Sequence, residues 1–481
     1  MTTATPQTAP SWCKALAKPA AEFPLTDLTI LEGAIPPGLK GSLYRNGPGR
    51  LGRGGMQVGH WFDGDGAILA VHFGEDEFGN SKAQGTYRYV QTAGYQAETK
   101  AQRLVYGNYG MTAPGPWWQR FGKSTKNVAN TSVLALPDQL LALWEGGLPH
   151  SLDLETLATK GLAYGDVLPA PYSAHPKRDS HTGEIFNFGV AYGKDTILHL
   201  YRSDAQGKIL QKQQIPLSGA SMVHDFVLAG QYLVFCIPPL RMNPLPLLLH
   251  LTSYSDALQW QPQEGTEILI VDRNTLALVS RNTVAPWFQW HFGNGCTDRD
   301  GNIVLTLVLY PDFATNQFLK EVATGKIETP AKGVLVELRL HPTTAAVITA
   351  TTLIDRGAEF PTVAPATVGQ TSDYTYLLLE RQDAWVGHNL FNVIARYDHH
   401  RQTVREMDLG NHLYPMEPLF APDASGDGAG WLLTVVFDGI EESSSVYILA
   451  ADDLEKGAVC RLGLPSVVPM GFHGTWQGKY R

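Results

Sequence analysis

The apolar residues of this chain fall into short runs of about four to six, each closed by turn residues, and that pattern excludes most architectures at once. Examples are 132–136, 139–143, 197–201, 232–237, 268–271, 303–308, 334–338, 376–379, 431–436 and 446–449, rich in Val, Ile, Leu, Tyr and Thr. Such runs are strands. Helical periodicity is scarce, with 97–103 and 315–322 the better candidates. Several strands enter a polar turn and return as another strand, at 152–159, 201–210, 271–279, 340–348, 397–405 and 449–457. Their starts lie 49, 70, 69, 57 and 52 residues apart. Each interval has room for a four-stranded sheet with decorated loops, and radial repetition of such sheets is a β-propeller. A pair of β-sandwiches would also give short strands, but the quasi-regular spacing favours the propeller. No linker divides the chain, so one domain over 1–481 is expected, with about 1–25 a loosely ordered N-terminal extension.

Composition narrows the function. The net charge is −9, so no basic footprint for nucleic acid exists. The four cysteines, Cys13, Cys236, Cys296 and Cys460, show neither zinc-ribbon nor disulfide spacing and fit a reducing compartment. The first ten residues lack a basic segment followed by an apolar one, so no secretory signal is read. The most apolar stretch, LRMNPLPLLLHL at 240–251, is too short to span a bilayer and is broken by Pro244 and Pro246.

The chain has 15 histidines. Most histidines are surface or structural, and His181, His399 and His400 sit in evident turns. Four others sit in company where solvation is awkward: His175 in YSAHPKRD, His224 in SMVHDFVLAG, His291 in WFQWHFGNG and His473 in PMGFHGTW. Glu145, Glu359 and Glu417 lie in similarly apolar surroundings, where a carboxylate needs a partner. In order, the seven residues are separated by 30, 49, 67, 68, 58 and 56 positions, mostly close to the hairpin spacing. On a propeller, one such residue per blade can point to the axis. Four neutral imidazoles could there hold one metal, and three carboxylates behind them could accept ring N–H bonds. An imidazole-only set suits Fe, Zn, Cu or Ni, so the residues alone do not choose the metal.

At these residues the chain resembles the carotenoid cleavage oxygenase family, over about 34–477 and most closely its cyanobacterial apocarotenoid oxygenases. The motifs that carry the resemblance are IPPGLKGSLYRNGPG (35–49), HWFDGDG (60–66), KNVANT (126–131), LLALWEGGLPH (140–150), SAHPKRD (173–179), MVHDF (222–226), EFP (359–361), EPLF (417–420) and FHGTW (472–476). The resemblance implies a seven-bladed propeller with an axial metal and a helical and loop cap over one face. It implies one Fe(II) per chain held by His175, His224, His291 and His473, with Glu145, Glu359 and Glu417 behind three of them and His175 without a glutamate. Thr131 is implied to lie near the open coordination position, its methyl restricting access.

The implied reaction is oxidative cleavage of a carotenoid or apocarotenoid C=C bond by O₂ to two carbonyl products, with cleavage of an apocarotenal at the central 15,15′ bond to retinal favoured. Cleavage elsewhere, such as 9,10, is the alternative. A rigid apolar substrate needs an apolar tunnel, and Phe62, Trp144, Met222, Trp290 and Phe360 are its candidate lining. Met222 and Trp290 stand where relatives carry phenylalanine. Stilbene-cleaving relatives tend to carry lysine where Trp144 stands, which favours a polyene over a phenol. A polyene isomerase and a non-catalytic propeller scaffold are the remaining rivals. Because carotenoids dissolve in membranes, 240–251 and the aromatic run 115–121 are expected to form a monotopic membrane patch on a cytoplasmic, peripheral protein.

Overall fold

A computed structural model describes residues 10–382, 387, 389–426 and 429–478 of the chain. Five four-stranded antiparallel sheets follow one another along it. The first holds Ser132–Ala135, Leu140–Leu143, His150–Leu152 and Thr159–Leu162; the second Lys177–Arg178, Ile185–Ala191, Ile197–Ser203 and Ile209–Pro216. The third holds Val227–Ala229, Tyr232–Ile237, Thr266–Asp272 and Leu278–Val284; the fourth Phe288–Thr297, Ile303–Tyr310, Val334–Leu340 and Val347–Ile354. The fifth holds Ala358–Thr362, Tyr374–Leu379, Val393–Asp398 and Thr403–Asp408. One parallel pairing, Ala229 with Gly295, fuses the third and fourth into eight continuous strands.

Seven blades are expected from the sequence, and five have this plain form. The other two large sheets are composites that draw strands from both halves of the chain. One orders Phe23–Asp27, Ser81–Tyr89, Asp65–Glu75, Gly41–Arg50 and Gly474–Gly478. The other runs from Thr29–Gly33 through Ala458–Gly463, Ser443–Ala450 and Trp431–Asp438 to Leu413–Pro415, with Leu419–Ala421 also on Trp431–Asp438. The architecture is all-β and propeller-like.

The turns that the sequence flagged join the third and fourth strands of their sheets, and each carries a residue of positive φ just before the return strand. Leu157, Leu276, Ala345 and Gln402 have φ of 56°, 56°, 52° and 53°, and Gly207 and Gly457 take 82° and 81° at the matching place before the return strand. In three of them an aspartate closes the turn: Asp153, Asp272 and Asp398 each accept the backbone N–H three residues on. The fourth strands, such as Val347–Ile354 and Thr403–Asp408, are largely exposed, whereas the first strands Ser132–Ala135 and Val227–Ala229 are wholly buried. First strands therefore line the interior.

Apolar layers pack successive sheets face to face. Leu141 and Leu143 meet Tyr172 and Ile185; Phe186 and Leu198 meet Phe226 and Phe235; Ile268 and Ile270 meet Phe292 and Leu305. Val308 and Leu335 meet Leu377 and Ala395, and Tyr376 and Ile394 meet Leu432 and Tyr447. Leu433 and Ile448 then meet Leu43 and Leu69, while Tyr44 and Ile68 meet Val133 and Ala142. Neighbours in sequence such as Leu43 and Tyr44 serve different layers because strand side chains alternate faces.

The expected loose extension over 1–25 is instead packed from residue 10 on. Trp12 is fully buried, Cys13–Leu16 is helical, and Phe23 opens a paired strand. Residues 1–9 of that expectation lie outside the described residues. The first of the two expected helices is Ala93–Ala101, earlier than 97–103, because the Thr92 hydroxyl accepts the Tyr95 N–H and caps it. The second is Ala314–Val322. Within 240–251, Leu240–Met242 pairs with Leu258–Trp260 and Pro244–Leu248 is a short helix. Among the described residues no helix is long and apolar enough to cross a membrane.

Candidate metal centre

Innermost strands deliver the seven singled-out residues to one buried place. His175 and His224 sit just before Lys177–Arg178 and Val227–Ala229, and His291 lies on Phe288–Thr297. Glu359 is on Ala358–Thr362, Glu417 lies between Leu413–Pro415 and Leu419–Ala421, and His473 immediately precedes Gly474–Gly478. Glu145 differs, following the second strand of its sheet, Leu140–Leu143.

The four imidazoles converge through their Nε2 edges. His175 Nε2 is 3.1 Å from His224 Nε2, which is 3.3 Å from His291 Nε2. The His473 ring centre lies 4.7 Å from that of His175 and 4.6 Å from that of His291. The opposite nitrogens face carboxylates. His291 Nδ1 donates to Glu359 Oε2 at 2.5 Å and His473 Nδ1 to Glu417 Oε1 at 2.8 Å, and His224 Nδ1 contacts Glu145. His175 has no glutamate partner; its Nδ1 lies 3.8 Å from Asp225.

This wiring fits a bound cation. A ring whose Nδ1 proton is committed to a carboxylate presents a bare lone pair at Nε2. Lone pairs of His224 and His291 facing each other at 3.3 Å repel unless a cation lies between them. Right-angle nitrogen ligands at about 2.1 Å from a metal stand about 3 Å apart, close to the spacings found. His175, His291 and His473 form one group able to hold a metal, and Glu145, His175 and His224 another.

Electrostatics favour ionised carboxylates and neutral rings at His175 and His473, whereas at His291 burial is outweighed by Glu359, which holds the ring above the usual histidine range. Burial and the other imidazoles hold His175 well below the usual histidine range. Burial also lowers His473, although Glu417 opposes it. Burial pushes Glu359 and Glu417 up, but their histidine partners and hydrogen bonds bring both below the usual carboxylate range. Each has a further anchor. Glu359 accepts the Tyr310 hydroxyl at 3.0 Å and the Phe360 N–H at 2.7 Å; Glu417 accepts the Gly474 N–H at 2.9 Å. Buried Arg45 lies 3.6 Å from Glu417 Oε2 and donates to the Glu417 and Phe472 carbonyls. Phe360 takes φ of 55°, which a non-glycine residue adopts only when its surroundings enforce it.

The centre opens into a cavity of ≈ 500 Å³. All of the candidate lining is there: Phe62, Trp144, Met222, Trp290 and Phe360. Trp290 packs on His224 with ring centres 4.8 Å apart, and Phe360 stacks on His291 at 5.4 Å. Thr131 also faces the cavity, and its hydroxyl donates to Asn130 Oδ1 at 3.1 Å. Leu247 and His250 line the same cavity, and beside them Leu245, Leu248, Trp117 and Trp118 are 64%, 72%, 50% and 63% exposed. Phe121 on His250, with ring centres 5.1 Å apart, joins 115–121 to 240–251.

Sequence reasoning missed Arg45, Tyr310 and Asp225, because each looks ordinary in its own segment. It also missed a buried charge cluster in which Lys126 bridges Asp65 and Glu98 while Arg53 holds Asp65 at 2.9 Å. Asp65 and Lys126 lie inside HWFDGDG and KNVANT, so those motifs were the available signal.

Residues 16–478 match the family model described as retinal pigment epithelial membrane protein, RPE65. The chain is 31% identical over 459 residues to an apocarotenoid-15,15′-oxygenase of Synechocystis sp., covering 93% of this chain and 92% of that protein. It is 28% identical to an isoeugenol monooxygenase of Pseudomonas nitroreducens, covering 95% of each. Cobalt-substituted Synechocystis apocarotenoid oxygenase superposes with a TM-score of 0.86 at 30% identity, covering 98% of both chains.

Proposed function

The chain belongs to the carotenoid cleavage oxygenase family that includes RPE65, and from that premise we propose that it cleaves an apocarotenoid at its central 15,15′ double bond, giving retinal and a second carbonyl product. It is an oxygenase, an oxidoreductase acting on a polyene. The observation that carries the reading is the convergence of four imidazole edges, three backed by glutamates, at the wall of an apolar cavity.

In this reading His175, His224, His291 and His473 hold one Fe(II), and Glu145, Glu359 and Glu417 fix the tautomer and direction of three of them. Bound ferrous iron supplies the electron chemistry that lets O₂ react with an electron-rich double bond. The balance is simple: one C=C and one O₂ give two C=O groups, with no proton gained or lost overall. The protein therefore needs no nucleophile and no general acid. Its residues orient and exclude. Phe62, Trp144, Met222, Trp290 and Phe360 offer flat or flexible apolar surface to a rigid chain and keep water away from it. Because the Thr131 hydroxyl is engaged by Asn130, its methyl is the group left to narrow the approach to the centre. Trp144, next to Glu145 in the cavity wall, puts an apolar ring where stilbene-cleaving relatives tend to carry lysine, which supports a polyene over an aryl olefin such as isoeugenol.

The fold reading extends to one domain of seven blades. The five plain sheets and two composites make seven, and the seven apolar layers between successive sheets, the last returning to the first, support a closed ring. The exposed leucines and tryptophans around the cavity mouth support monotopic contact with a membrane.

The test is anaerobic Fe(II) loading followed by an apocarotenal in air, with products separated by chromatography and weighed by mass spectrometry. Two carbonyl fragments, one with the mass of retinal, are expected, and neither from His291→Ala. Fragments of other masses move the cut to another bond. No fragments from iron-replete protein on any polyene overturn the proposal.

A further inference from the structure

His175 is the one imidazole at the centre with no glutamate behind it, yet it faces a carboxylate. Asp225 is fully buried and its Oδ1 lies 3.8 Å from His175 Nδ1. The same Oδ1 receives Lys177 Nζ at 2.8 Å and the Phe226 N–H at 2.8 Å. Its Oδ2 receives the Phe292 N–H at 2.9 Å. Lys177 is two residues beyond His175, Asp225 itself follows His224, and Phe292 follows His291. A single carboxylate thus ties together the three segments that carry three of the four imidazoles.

We infer that Asp225, neutralised by Lys177, is the positioning carboxylate of His175 and the common brace of the His175, His224 and His291 segments. The inference rests on the metal-centre reading above. Once a metal takes the Nε2 lone pair, the ring proton must reside on Nδ1, and a metal-bound imidazole places that proton on a carboxylate, carbonyl or water. At 3.8 Å the pair is too long for a hydrogen bond, and a closure of about 0.8 Å makes it one. The remaining three imidazoles already have a carboxylate, so Asp225 gives the fourth its equivalent. Lys177 on the same oxygen keeps this addition from placing another uncompensated negative charge in the interior.

The test uses Co(II) as the probe metal on the whole chain. Co(II) affinity is measured by calorimetric titration. Exchangeable, hyperfine-shifted imidazole N–H signals are followed by proton NMR. Wild type is expected to give one such signal for each bound imidazole. Asp225→Asn is expected to bind Co(II) roughly 10–100-fold more weakly and to shift or lose one N–H signal while the others stay. Lys177→Met, which leaves Asp225 in place but removes its counter-charge, is expected to move that same signal alone. This second variant decides the matter should Asp225→Asn not fold. If the variants lose only thermal stability, with Co(II) affinity within about twofold of wild type and every N–H signal unmoved, Asp225 braces the backbone alone and its role as the positioning carboxylate of His175 is overturned. If wild type binds no Co(II), the metal-centre reading itself fails and takes this inference with it.

Discussion

Each carboxylate at the centre is held differently, and that difference ranks the outcomes of removing it. Glu359 and Glu417 are buried and each accepts a backbone N–H besides its imidazole, whereas the Glu145 side chain is 29% exposed. Water screens and can replace a partner there. Glu359→Gln and Glu417→Gln are therefore expected to weaken Co(II) binding by roughly 10–100-fold, and Glu145→Gln by less; calorimetric titration gives the order, and an equal or larger loss for Glu145→Gln would refute it. Arg45 is the outer group of the same kind. Its guanidinium is buried against Glu417 and two carbonyls, so Arg45→Met leaves a buried carboxylate without its counter-charge and two carbonyls without their donor. A loss of about 3–5 kcal/mol in unfolding free energy is expected by urea titration. The histidines and glutamates were legible in the sequence because polar groups among aromatic and aliphatic neighbours demand an explanation. Arg45 and Asp225 were not, since a charge in RNG raises no question and MVHDF drew notice for its histidine alone. Only the fold brings them to the centre.

The short turn Trp61–Asp63 and its cap His60 carry an opposed pair of titrations. Burial holds His60 down to about 3, while the unfolded chain binds the proton near 6.5. That group adds stability which is complete above about pH 6.5 and is lost as pH falls toward 3. Burial raises Asp63 to about 7 against 3.8 unfolded, even though three backbone N–H groups, of Gly110, His60 and Gly59, favour its charge. Its contribution is complete below about pH 4 and is lost as pH rises to 7. Asp63→Asn removes only the second slope, so its stability relative to wild type should be greater at pH 8 than at pH 4 by about 1–3 kcal/mol. Urea unfolding at both values checks this; parallel curves would contradict it. Single strands were legible to within one to three residues because polar turn residues bound their apolar runs. The composite sheets were not. Gly41–Arg50 pairs with Gly474–Gly478 and Thr29–Gly33 with Ala458–Gly463, and no local pattern announces a partner more than 400 residues away.

At the scale of the molecule, the cavity mouth and the exposed apolar surface coincide. Leu245, Leu248 and Leu251 are 64%, 72% and 57% exposed beside Leu247, which turns inward to the cavity. The sequence marked the stretch but not which leucines face out, because a five-residue helix broken by prolines has no readable period. Leu245→Asp with Leu248→Asp should lower the fraction sedimenting with phosphatidylcholine vesicles at least severalfold while leaving turnover of detergent-solubilised apocarotenal within about twofold; unchanged sedimentation would remove the patch from that role.

His473 reaches the centre only because Gly474–Gly478 docks beside Gly41–Arg50, the strand that also carries Arg45. The first long strand of the chain to be synthesised thus waits for one of the last. A chain stopped at residue 470 lacks both that strand and His473, so the composite sheet and the four-imidazole centre are completed by the same few residues.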